Sequence, residues 1–74
     1  MVNVFKTDVQ SADVTKEIIN DLLQMYPCLR ITFDLEDEDK IMRVEGSFFK
    51  TADIISCLKE NGHCCIYLPM DVGK

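Results

Sequence analysis

The residues best suited to chemistry are His63, Cys64 and Cys65, which are consecutive near the C-terminal end of a 74-residue chain. An imidazole followed by two thiols offers the nitrogen and sulfur donors that suit Zn or Cu. In an extended segment, however, successive side chains point to opposite faces. Alternation puts His63 and Cys65 on one face and Cys64 on the other, so Asp8 or a hairpin carboxylate would have to complete a closed site. A simpler reading makes one of the two cysteines a small core residue and the other an edge-strand residue. His63 is then an exposed residue beyond a helix C-terminus, where its cationic form is favoured.

Three other groups of residues carry possible chemistry. Glu36-Asp37-Glu38-Asp39 is a run of carboxylates, but it lacks the spaced ligands and internal glycine of a calcium-binding EF-hand loop. It reads as a solvated turn, or as an electrostatic docking patch for a basic partner. Cys28 and Cys57 complete a set of four cysteines. Nucleophilic catalysis by any of them needs a base and a lowered pKa. His63 is the sole imidazole, and neither Cys28 nor Cys57 is placed to approach it, so the expectation is that the chain is not an enzyme. Phe48-Phe49 is an adjacent aromatic pair, either an exposed contact point or a staple at a helix entry.

The elements that must position these groups are marked by periodicity. Val2 to Thr7 reads as a strand rich in β-formers. Asp13, with Ser11 as the alternative, caps a helix from Val14 whose stripe is Val14, Ile18, Leu22 and Met25, widened by Ile19, Leu23 and Tyr26. Pro27 ends it. Leu29 to Leu35 alternates apolar and polar residues without a break, which predicts a strand with one buried face. The acidic turn joins it to a strand over 40–45 as an antiparallel hairpin. Thr51 caps a second helix over 52–61, with Ile54, Ile55 and Leu58 as its buried face, and Asn61-Gly62 stops it. A last strand runs from His63 to Leu68 and is closed by Pro69.

Strand, helix, strand, strand, helix, strand with right-handed crossovers predicts an α+β class: a ferredoxin-like βαββαβ sandwich with a four-stranded antiparallel sheet and both helices on one face. Residues 1–69 form the domain and 70–74 a flexible tail. Strands two and four are the expected sheet edges. The open face, carrying Arg30, Thr32 and Asp34, is expected to be polar.

Composition narrows the function classes. A net charge of −5 with eight scattered basic residues argues against a nucleic-acid surface, which needs clustered Lys and Arg. No apolar run reaches the length of a membrane span. The opening Met1-Val2-Asn3-Val4-Phe5-Lys6 lacks the layout of a signal peptide, so the expectation is a cytoplasmic protein with free thiols rather than disulfides.

Over residues 1–69 the chain resembles the heavy-metal-associated domain family. The resemblance is carried by the short first strand, the Ile18 and Leu22 stripe, Ile31-Thr32-Phe33-Asp34-Leu35, the hairpin into Ile41-Met42-Arg43-Val44, and Leu58-Lys59-Glu60-Asn61-Gly62-His63. It implies a domain that binds Cu(I) or a similar ion and passes it to partner domains. The family motif Met-x-Cys-x-x-Cys would fall near Ser11 and Val14, where this chain reads Asp8-Val9-Gln10-Ser11-Ala12-Asp13-Val14 and offers no sulfur. The resulting expectation is a non-enzymatic binding or interaction module with no cofactor and a protein partner, its acidic Glu36–Asp39 turn the candidate contact. The alternative is altered Zn or Cu binding through His63, Cys64, Cys65 and Asp8.

Overall fold

The computed structural model describes residues 1–69, and the expected tail over 70–74 lies outside them. The elements run β1 (Val2–Thr7), α1 (Ala12–Met25), β2 (Arg30–Asp34), β3 (Ile41–Glu45), α2 (Thr51–Glu60) and β4 (Cys65–Leu68). The sheet order is β2-β3-β1-β4, antiparallel at every pairing. This is the ferredoxin-like arrangement, with β2 and β4 at the edges.

Alternation in the central strands builds the core. Phe5 of β1 and Met42 and Val44 of β3 are fully buried. Ile18 and Leu22 of α1 and Ile54 and Leu58 of α2 pack in the same cluster, and Leu29 and Phe49 join it. Two aromatic contacts extend it, Phe5 with Tyr67 at 5.6 Å between ring centroids and Tyr26 edge-on to Phe49 at 6.4 Å.

Several sequence expectations change in detail. Ser11, not Asp13, caps α1: its extended backbone lets Oγ accept the Asp13 N–H at 3.2 Å. Asp13 instead sits in the first turn, where its charge suits the helix dipole. Met25 is 47% exposed, and Thr15 takes the inward position, its hydroxyl donating to the Ala12 carbonyl at 2.7 Å. In α2, Cys57 is buried and Ile55 is exposed. Thr51 is the first residue of α2 rather than its cap, and its hydroxyl donates to Asn3 Oδ1 at 2.7 Å. Asn3 is buried, and a buried amide oxygen without a donor would be costly.

The open face is polar over β2 and most of β3, apart from Ile41, and largely apolar over β1 and β4, apart from Lys6. Register places Arg30, Thr32, Asp34, Arg43 and Glu45 together there. Over β1 and β4 the same face carries Val2, Val4, Ile66 and Leu68, with Val2 and Ile66 more than half exposed.

Candidate functional site

One end of the sheet gathers the residues singled out for chemistry, and a helix stop brings them there. The His63 N–H donates to the Leu58 carbonyl and the Gly62 N–H to the Lys59 carbonyl, both at 3.0 Å. This is a Schellman pair, and it requires the left-handed backbone that Gly62 adopts at φ 82°. The chain leaves α2 with His63 turned toward the β1–α1 loop. There Asp8 Oδ1 lies 2.9 Å from His63 Nδ1 and accepts the Cys64 N–H at 3.1 Å.

Partial burial raises the Asp8 pKa, but the Cys64 N–H and the neighbouring imidazole outweigh it and hold the carboxyl below its usual value. An ionised Asp8 can only accept, so Nδ1 of His63 is the donor in this contact and Nε2 points away from it. His63 is half-buried rather than exposed, because it packs down onto this contact.

The thiols divide differently from the simpler reading, because the edge-strand cysteine is also the one packed on the core. Cys64 is exposed and lies before β4, whereas Cys65 opens the strand, half-buried against the core. Burial pushes the Cys65 thiol up to about 11, with smaller contributions from Cys64 and Asp8. Cys57 is raised to about 11 by its own burial, then by Asp21 and Glu60. Cys28 is exposed beyond α1. Among the described residues, no group of three His, Cys, Asp or Glu side chains is placed to hold a metal ion. The structure thus joins Asp8 to His63 and Cys64 and turns Cys65 toward the core.

The β1–α1 loop is closed by its own polar groups. Thr7 Oγ1 donates to the Lys40 carbonyl at 2.7 Å and accepts the Val9 N–H at 3.3 Å. Val9 is fully buried, which pins the loop to the core. Ser11 is committed to the helix cap, and Val14 is half-buried beneath it.

The acidic turn lies at the same end. Asp34 Oδ1 accepts the Glu36 N–H and Asp37 Oδ1 accepts the Asp39 N–H, so two carboxylates shape the backbone. Lys40, at φ 48°, donates from Nζ to the Leu35 carbonyl at 2.8 Å. Asp39 pairs with Lys6 at 3.4 Å. Glu36 and Glu38 are exposed and make no ion pair among the described residues.

The opposite end holds a feature that the sequence indicated only in part. Phe49 is the staple, 3% exposed, while Phe48 stands 79% exposed. Phe48 borders a shallow concavity of about 270 Å³ with Met25, Tyr26, Pro27, Cys28 and Leu29.

No family model matches the chain, and no curated protein or solved structure matches it. No helix among the described residues is long and apolar enough to cross a membrane.

Proposed function

We propose that the chain is a non-enzymatic binding module, a heavy-metal-associated-like scaffold without the family's sulfur loop, that docks a basic protein partner through its acidic end. The observation that carries this reading is the gathering of Asp8, Asp34, Glu36, Glu38 and Asp39, all exposed, at one end of the sheet. Lys6 and Lys40 are the basic side chains bound into the turn there. Carboxylates on a small domain of net charge −5 speed encounter with a cationic surface and fix its orientation. The closed β1–α1 loop supports the same reading, because its polar groups serve the backbone. Among the thiols, Cys57 and Cys65 are held protonated at neutral pH, which suits packing better than nucleophilic attack.

The test is affinity capture with the wild-type chain and with a Glu36→Lys, Glu38→Lys, Asp39→Lys variant. A partner recovered by the wild type should be lost with the variant and weakened by salt. Capture indifferent to both changes sinks the acidic-end reading.

A second reading keeps a metal. The Asp8–His63 pair is the carboxylate–histidine arrangement that orients a ligating imidazole through its other nitrogen, and Cys64 is an adjacent exposed thiol. The reduced protein would be titrated anaerobically with Cu(I) and then Zn(II), following backbone amides by NMR. Stoichiometric shifts at residues 8–13 and 63–65 support it, and their absence at equimolar metal rejects it.

A further inference from the structure

Natural sheets guard their edges with short strands, prolines, lysines or bulges. β4 follows that rule: it is four residues long and Pro69 closes it. β2 is guarded less. Its five residues, Arg30-Ile31-Thr32-Phe33-Asp34, contain no proline or lysine, its two charges are of opposite sign, and its outer edge has no neighbouring strand among the described residues.

The segment is also complementary to itself. Counting outward from Thr32, Ile31 answers Phe33, Arg30 answers Asp34, and Leu29 answers Leu35. Antiparallel pairing of two β2 strands about a twofold axis through Thr32 sets Arg30 against Asp34 of the partner subunit. Because the contact is isologous, the ion pair occurs twice. The same register sets Ile31 against Phe33 of the partner subunit and threonine against threonine, both favourable cross-strand pairs. Ile31, Phe33 and Leu35 are half-buried, so each has surface left to cover. Arg30 and Asp34 are exposed and form no ion pair within the chain among the described residues.

We propose that β2 is a homodimerisation edge, through which two copies join antiparallel about Thr32 into one eight-stranded sheet. The axis stands perpendicular to the sheet, so all four helices remain on one face. The contact takes Asp34 from the acidic end but uses none of Asp8, Glu36, Glu38 or Asp39.

Sedimentation velocity of the full chain across a concentration series tests this, using Arg30→Asp, Asp34→Arg and the double charge swap. Wild type should dimerise reversibly. Each single reversal turns both ion pairs into like-charge pairs and should raise the dimer Kd at least about tenfold. The double swap restores opposite charges in the same register and should recover wild-type association within about threefold. Each single variant also carries a local cost: Arg30→Asp faces Glu45 across β3, and Asp34→Arg loses the acceptor for the Glu36 N–H. The double variant carries both costs, so its recovery cannot come from folding. A chain monomeric at about 1 mM, where even weak complexes populate, overturns the proposal. So does a dimer indifferent to the single reversals, or a swap that fails to rescue.

Discussion

Cys65 decides how much of the His63–Cys64–Cys65 run is available to a metal or an electrophile, and its reactivity can be worked out. The reacting species of a cysteine is the thiolate. Burial against the core lifts the Cys65 thiol from 9.0 to about 11, and each pKa step is a factor of ten in the proton equilibrium. At pH 8 the thiolate fraction of Cys65 is therefore about 100-fold below that of an unperturbed cysteine. Steric cover by the core slows it further. The perturbation is timed alkylation with iodoacetamide at pH 8 under native conditions, with a short cysteine peptide as the internal reference and site assignment by peptide mass spectrometry. Cys64 and Cys28, both exposed, should label first, and Cys65 at least about tenfold more slowly than the peptide, since the greater nucleophilicity of a more basic thiolate offsets part of the lower thiolate fraction. Cys65 labelling within about threefold of the peptide refutes the burial argument. The same factor weakens Cys65 as a ligand, since a metal must displace that tightly held proton.

The remaining predictions concern stability and the empty loop. Cys57 binds its proton more tightly folded than unfolded, so its contribution is complete below about pH 9 and is lost as pH rises toward 11. Denaturant melts should show an alkaline loss of about 2–3 kcal/mol from it, which Cys57→Ala removes while leaving the similar loss from Cys65. Phe49→Ala should cost about 3–5 kcal/mol and Phe48→Ala under about 0.5 kcal/mol in the same melts; equal losses would contradict the division of the aromatic pair. Ser11→Ala should cost about 1 kcal/mol through the lost cap, whereas Asp13→Ala should cost less. Ser11→Cys with Val14→Cys places thiols at the N-cap and third helical positions, whose side chains meet at a helix start. If the resemblance to the heavy-metal-associated family holds, that variant binds one Cu(I) more than the wild type, and a folded variant without added uptake counts against it.

How much could be read from the sequence depended on whether a signal was local. The alternation from Leu29 to Leu35 and the three-four spacing of Ile18 and Leu22 report a buried face directly, so strand and helix identities followed, as did β2 and β4 as edges. Caps were less legible. Asp13 and Ser11 are both good cap residues, and Thr51 is one by type, yet it stands inside α2 with its hydroxyl bonded to Asn3, 48 positions away. A long-range partner of that kind leaves no trace in local spacing. The open face was misjudged for a related reason: Arg30, Thr32 and Asp34 sit on one edge strand, and its opposite half is set by the β1–β4 register of Val4 with Leu68 and Lys6 with Ile66.

The same distinction bears on the site. Asp8, His63 and Cys64 were each visible as residue types, but their meeting depends on the Schellman turn at Gly62, which sets the direction in which the chain leaves α2. Cys65 shows the converse, since a thiol two positions from an imidazole in sequence is turned to the core at the start of β4. Self-complementarity about Thr32 is written wholly in the sequence, yet it has no consequence in a central strand, where both edges are filled. Topology supplies the missing condition by leaving β2 at the rim. A charge reversal in β2 therefore tests the sequence pattern and the strand order together.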